Sequence, residues 1–336
     1  MEDKLLLQSL DKFYEKNHID PSCYTAAPMT AYQENKYLDA KISEDELKEK
    51  LFYWSKNFKE DDRQLFLSLF EKYDYISERE LEYRLFLLCS FIFNKMELEG
   101  IKREEVLFVT VPSENGTGGG GDSIRNHLLT VNMEWGIEKE QIISDISKVN
   151  EYLLRKRKAI IFMDDIIGTG FTIRGTIDEF LKRFPCILED AYLWGVSAVL
   201  VTSNAIKYLK KKFKSTRLNL KIYVDEENYI KSCMKGNYIF KENEIKEIEK
   251  IVRQYEEQIG MNLDSGKNFA MGFRECKLLV SFYYNTPNNT LCSFWKYTED
   301  HIPIFPRDEY MRPTLEELKK RRKHNIKNAY LKGCIE

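Results

Sequence analysis

The stretch AIIFMDDIIGTGFTIRGTIDEF, residues 159–180, constrains this chain most. An apolar run meets two carboxylates, then a short loop of Gly and Thr, then a segment with helical character. Bounded by turn residues, AIIFMDD predicts a buried strand, and a helix is predicted over about 171–184. A buried strand that feeds a helix through a tight loop is a building unit of a parallel sheet with helices on its faces.

The loop has the chemistry of an anion site. Gly168 and Gly170 let the backbone turn tightly with its amides pointing inward. Those amides, the helix N-terminus behind them and the hydroxyls of Thr169 and Thr172 form a nest for a phosphate dianion over Gly168, Thr169, Gly170, Phe171 and Thr172. Asp164 and Asp165 stand one step earlier. Carboxylates there accept hydrogen bonds from vicinal hydroxyls, or bind Mg²⁺. A phosphate nest beside a diol acceptor has the shape of a ribose 5-phosphate site. The plainer alternative is an ordinary strand-to-helix turn with a helix cap. No GKT or GKS follows, and the spacing is not GxGxxG, so neither common nucleotide-loop pattern applies.

Around this stretch the elements alternate. Residues 1–100 read as a helical N-terminal region, with capping boxes at Ser43–Glu46 and Ser77–Glu80. The segment LFLLCSFIF is apolar nearly all round, which predicts burial against the next layer. VLFVTVP reads as a strand, followed by helices over about 122–134 and 138–156. AYLWGVSAVLV and NLKIYVD read as further strands, with a helix over 203–214 between them. A helix over 242–259 and a strand in CKLLVSFYY follow. Thr314–Glu317 caps a last helix carrying Lys319–Lys323, five consecutive basic residues. The fold class is therefore α/β, a parallel sheet flanked by helices with a helical N-terminal region. The domain expectation is 1–100 for that region and 101–336 for the sheet domain with a C-terminal hood and helix.

With 43% hydrophobic residues, a packed core is within reach and global disorder is excluded. Basic and acidic side chains number 52 and 54, a balance that neither demands nor excludes nucleic acid. The seven Cys form no CxxC pair and the four His are scattered, so no metal site is legible from them. Dispersed thiols fit a reducing compartment. The opening MEDKLLLQSLDKFYEKN carries acids where a signal peptide needs bases. No apolar stretch approaches the roughly 20 residues of a membrane span. The expectation is a cytoplasmic protein with no membrane partner.

An apolar strand followed by Asp-Asp-x-x-x-Thr-Gly-x-Thr resembles the phosphoribosyl pyrophosphate (PRPP) motif of type I phosphoribosyltransferases, and its five fixed positions match at Asp164, Asp165, Thr169, Gly170 and Thr172. By element order the resemblance extends over roughly 100–225. It implies a phosphoribosyltransferase-like fold, a PRPP or nucleotide ligand, and Mg²⁺ held at Asp164 and Asp165. It also implies that the loop after the strand at Val106 cradles pyrophosphate. Here that loop comprises Pro112 and Ser113 and then the glycines Gly118, Gly119, Gly120 and Gly121, with Arg125 one helical turn on. The family's loop is shorter and often basic, whereas this one is long and carries Glu114 and Asp122. A flexible surface loop is the plainer reading of the glycines.

The segment Asn285–Thr290, leading through Leu291 to Phe294 and Trp295, is similar to the NTPNNTL…W ending of phosphoribosyltransferase-like proteins of bacterial conflict systems, including anti-phage operons. In that setting Asn288 and Asn289 read a base edge and Trp295 stacks on its face; an Asx-turn packed on the core serves equally. The resemblance implies a glycosyltransferase that transfers phosphoribosyl or cleaves an N-glycosidic bond, in the role of a defence effector. The alternative is a non-catalytic nucleotide sensor or structural subunit of a defence complex, with an operon-encoded protein partner. Lys319–Lys323 is a candidate nucleic-acid contact. Favourable charge at a helix C-terminus explains it as well.

Overall fold

The computed structural model describes residues 2–17, 44–112, 120–185, 192–214, 218, 220–260, 269–298 and 300–307. The chain divides into two compact units, Met1–Glu78 with Ser232–Glu336, and Arg79–Lys231. The division falls after Glu78, the first residue of the helix α4 (Glu78–Leu98). The apolar character of that helix accounts for the placement. Leu85, Leu88, Cys89, Ile92, Phe93 and Met96 are buried, and the Phe93 ring meets Phe108 edge-on at 5.8 Å, so α4 joins the sheet unit from its second residue onward.

In the first unit, α1 (Glu2–Lys16), α2 (Glu44–Ser55) and α3 (Glu60–Phe70) precede β1 (Asp74–Ile76), which pairs in parallel with β8 (Val280–Phe282). Helix α9 (Ile245–Gly260) and the short α10 (Cys292–Trp295) complete it. Its core is aromatic. Tyr73 stacks on Phe294 and on Phe305, each at 4.7 Å, and Trp54 lies 4.8 Å from Phe294. The Trp54 indole N–H donates to the Ser293 carbonyl at 2.8 Å. Trp54 and Tyr73 thus share one core with Phe294 and Phe305 despite their distance in sequence.

The second unit is the parallel sheet. Its strands are β2 (Val106–Thr110), β3 (Ile142–Ile143), β4 (Ala159–Ile167), β5 (Leu193–Thr202), β6 (Leu220–Ile222) and β7 (Tyr229–Ile230). Their order is β3-β2-β4-β5-β6, all parallel, with β7 pairing to the far end of β5. Helix α5 (Gly120–Trp135) follows β2, α7 (Phe171–Arg183) follows β4, and α8 (Ser203–Phe213) follows β5. One face of the sheet carries a core in which Leu107, Ile160, Phe162 and Val196 pack with Ile177 of α7 and Leu209 of α8.

The helix expected over 138–156 does not form. In its place stand a 3₁₀ turn at Lys139–Gln141, the strand β3, a second 3₁₀ turn at Ile146–Lys148 and the five-residue helix α6 (Glu151–Arg155). Side-chain caps interrupt it. Asp145 accepts from the Ser147 amide and Asn150 from the Leu153 amide, so each new turn restarts instead of continuing. Gln141, fully buried, donates its amide to the carbonyls of Arg103 and Val106 and fixes the segment beside β2. The two-residue loop-closing strand at 142–143 has no sequence signal of its own.

This topology selects one crevice. From β2 the chain moves outward to β3, then returns past β2 to β4 and continues outward on the other side through β5 and β6. The order reverses between β2 and β4. Ligands of open α/β sheets bind outside the carboxyl ends of the strands at such a reversal. The loops leaving β2 at Pro112 and β4 at Gly168 flank it.

Candidate functional site

Strand β4 runs two residues past the carboxylates, to Ile167. Asp164 is in register with Ala198 of β5, so both carboxylates sit within the paired strand. Adjacent strand residues point to opposite faces. Asp165, 9% exposed, faces the first turn of α5: a Cβ on Gly120 would collide with its carboxylate. A Cβ on Gly121 would collide with the Val111 carbonyl, so α5 can begin this close to the β2 end only with glycine at both positions. The Asp165 carboxylate also accepts from the Ile166 amide at 2.7 Å. Asp164 is partly exposed and accepts from the Asp165 amide at 3.0 Å.

The two carboxylates form a like-charged pair. Burial, and then the neighbouring Asp165 charge, push the Asp164 carboxyl well above the usual carboxylate range. A like-charged pair of this kind is relieved by a cation or by hydroxyl donors. Asp164, the more open of the two, fits a single carboxylate ligand to Mg²⁺, which ordinarily keeps waters and substrate oxygens around it.

Gly168, Thr169 and Gly170 form the bend from β4 into α7. Gly170 caps the helix at φ +79°, in the left-handed region. The Thr169 hydroxyl lies 3.4 Å from the Phe171 amide, while Thr172 is exposed in the first helical turn. The first amides of this 13-residue helix have no intrahelical acceptor and lie just past the end of β4.

Of the candidate pyrophosphate loop, Pro112 is exposed at the end of β2 and Gly120 and Gly121 form the first turn of α5. Arg125 is partly exposed one turn further. Ser113, Gly118 and Gly119 lie outside the described residues.

A family model described as PRTase-CE matches residues 53–307. The chain belongs to this family. No curated protein and no solved structure matches it. The PRTase-CE match makes the chain phosphoribosyltransferase-like, and it extends across the sheet unit into residues of the other unit on either side in sequence. The parallel sheet flanked by helices agrees with that membership.

Residues 285–295 of this PRTase-CE chain lie in the other unit, where the side chains of Asn289 and Trp295 are engaged. The Trp295 indole, 5% exposed, donates to the Thr290 carbonyl at 3.0 Å and meets Phe269 edge-on. Asn289, 8% exposed, donates its amide to Cys276 Sγ at 3.3 Å. Asn288 is partly exposed, and its carbonyl accepts from the Phe273 amide at 2.7 Å. Lys319–Lys323 and the capped helix before it lie outside the described residues. His127 of α5 is buried 3.4 Å from the Glu82 carboxylate of α4. Among the described residues no helix is long and apolar enough to cross a membrane.

Two residues at the site went unread in the sequence. Thr202 ends β5 and donates its hydroxyl to the Gly168 carbonyl at 2.6 Å. Tyr208 of α8 stacks on Phe171. A cap signal was present, since Thr202 closes an apolar strand directly before an amphipathic helix. The reach of either side chain to the loop was not readable.

Proposed function

We propose that this PRTase-CE protein binds a ribose 5-phosphate ligand, PRPP or a nucleotide, at the crevice between the ends of β2 and β4. The observation that carries the proposal is the Asp164–Asp165 pair beside the N-terminus of α7, with its capping glycine in the left-handed conformation. The 5-phosphate takes the amides of Gly168–Thr172 and the hydroxyls of Thr169 and Thr172. The ribose hydroxyls donate to Asp164. Asp165 packs closely on Gly120 in the first turn of α5. Mg²⁺ would be held at Asp164, with Asp165 adding its charge, and would supply neutralisation of pyrophosphate. The diphosphate side of the ligand faces Pro112–Gly121 and Arg125.

The chemistry proposed is displacement at the anomeric carbon. In transfer, a ring nitrogen of a base forms the new C–N bond, its proton passes to solvent, and the C–O bond to pyrophosphate breaks. In cleavage of a nucleotide, water forms the new C–O bond and the base leaves with a proton. Both pass through an oxocarbenium-like state, and the protein contributes positioning and stabilisation of the departing group. We place this activity in anti-phage defence, with an operon-encoded protein as partner.

One observation favours a second reading, a nucleotide sensor without turnover. The glycine loop carries Glu114 and Asp122 and has no basic residue before Arg125, so it offers little charge to a departing pyrophosphate. The deciding experiment incubates the protein with PRPP, Mg²⁺ and a panel of bases and nucleotides, follows release of pyrophosphate or free base, and measures binding by calorimetry. Release supports the enzyme. Binding without release supports the sensor. Absence of binding by every phosphoribosyl ligand rejects both.

A further inference from the structure

The loop that would take the phosphate is held from outside by the next strand and helix. Thr202, 8% exposed, donates to the Gly168 carbonyl at 2.6 Å. Its hydroxyl oxygen also accepts from the Ala205 amide at 3.1 Å, which caps α8. One side chain thus fixes the start of α8 and the start of the loop together.

Tyr208 holds the other end. Its ring stacks on Phe171 with centroids 4.5 Å apart and planes at 22°. It also closes over Gly170, where an added Cβ would stand 3.1 Å from Tyr208 Cδ1 and 3.2 Å from Leu209 Cγ. The Tyr208 hydroxyl accepts from Arg174 Nη1 at 3.0 Å, and Arg174 Nε donates to Asp178 at 2.9 Å. The ring is therefore pinned at its hydroxyl to α7 and at its face to the loop. The helix does not need Tyr208 for its seat on the sheet, because Ala205, Ile206, Leu209 and Phe213 supply the buried face.

A loop with two glycines is costly to order, and its amides bind an anion well only when they already converge. We infer that Thr202 and Tyr208 are positioning residues that order the Gly168–Thr172 loop before ligand arrives. The inference rests on the reading of that loop as the 5-phosphate site. It makes the β5–α8 junction part of the binding machinery.

The test uses the full chain with Tyr208→Ala, Tyr208→Phe, Thr202→Val and Thr202→Ser. Two quantities are read: amide exchange at residues 168–172 in the ligand-free protein, and calorimetric affinity for ribose 5-phosphate. Tyr208→Ala should speed exchange at 168–172 only and weaken binding about tenfold, the upper end of an aromatic pair's contribution. Tyr208→Phe keeps the ring and should restore most of both. Thr202→Val should speed exchange at the loop, with 203–206 reporting the lost cap separately, and Thr202→Ser should behave as wild type. Should Tyr208→Ala not fold, Tyr208→Leu keeps apolar bulk without the stack and is expected to give the same two effects. Unchanged loop exchange in a folded Tyr208→Ala or Tyr208→Leu protein overturns the inference, as does exchange raised evenly across residues 79–231. If wild-type protein does not bind ribose 5-phosphate, the phosphate reading fails, and the exchange comparison still decides whether the loop is braced.

Discussion

The Cys292 amide donates to the carboxylate of Glu256 at 2.7 Å, and that carboxylate is fully buried. It also accepts from the amides of Ser293 and Met271, at 2.9 and 3.1 Å, and from the Cys292 thiol. Glu256 belongs to α9, whereas Cys292 and Ser293 open α10. The carboxylate therefore ties the tail to the helix, and Cys292 together with Trp295 packs against Ile259 one turn on.

Replacing Glu256 by Ala should leave buried amides of three residues without their acceptor. Each orphaned group costs about 1–3 kcal/mol, so the variant is expected to lose at least ~3 kcal/mol of stability. Urea denaturation followed by tryptophan fluorescence checks this, since Trp54 and Trp295 lie in the affected unit. A loss below ~1 kcal/mol would mean that water or a rearranged neighbour replaces the carboxylate.

The same group gives a pH dependence. Burial pushes the Glu256 carboxyl above the ordinary value of 4.5, although its hydrogen bonds oppose the shift. Between 4.5 and the raised value the folded state binds more protons at this site than the unfolded state. The contribution of Glu256 to stability is then fullest at low pH and falls as pH rises through that interval. Denaturation across a pH series should show this slope, and Glu256→Gln should flatten it.

The strand at 159–167, its glycine loop and the helix at 171–183 were legible because a nine-residue buried strand, a tight loop and an amphipathic helix each leave a local pattern. The strands at β2 and β5 and the helix α8 were legible for the same reason. The β1–β8 pair was not: three residues on each side, 74–76 and 280–282, carry too little pattern to announce a partner so remote in the chain. The tail shows a different limit. Trp295 and Asn289 have the chemistry to hold a base, but the same groups satisfy a core, and only tertiary contacts distinguish the two. The reach of Thr202 and Tyr208 to the loop was not legible, because their partners there lie across a crossover.

Asp164→Asn should separate binding from folding. Burial and the Asp165 charge raise the Asp164 carboxyl, so the folded protein carries it at a cost. The variant is expected to unfold at the same or a higher temperature, with a gain on the order of 1 kcal/mol at neutral pH. Its affinity for PRPP with Mg²⁺ should fall roughly tenfold or more, as for a lost charge-assisted hydrogen bond. In the wild type that affinity should rise with pH as the Asp164–Asp165 pair loses its shared proton, and the variant should show a weaker dependence. Calorimetry at several pH values reads both.

Gly170→Ala tests the capping conformation. At φ +79° a side chain costs about 1–2 kcal/mol, and the new methyl would also press on Tyr208 and Leu209. The expected outcome is a stability loss of that order together with weakened phosphate-ligand binding. Stability loss with unchanged affinity for ribose 5-phosphate would place the phosphate elsewhere.

The last prediction concerns the far side of the crevice. Gly120 and Gly121 start α5 against Asp165 of β4 and Val111 just past β2, which brings the first turn of α5 to the ends of both strands. If pyrophosphate occupies this side, the amides of residues 120–123 should gain hydrogen-bond partners when PRPP and Mg²⁺ bind, as those at 168–172 gain them from the 5-phosphate. Hydrogen exchange should then slow at both segments in the same titration. Ribose 5-phosphate, which lacks the diphosphate, should slow exchange at 168–172 alone, and that contrast assigns each segment to one end of the ligand. Protection confined to 168–172 even with PRPP would leave the diphosphate unheld. An enzyme that must stabilise a departing pyrophosphate cannot leave it unheld, so that outcome would favour a nucleotide sensor over a transferase.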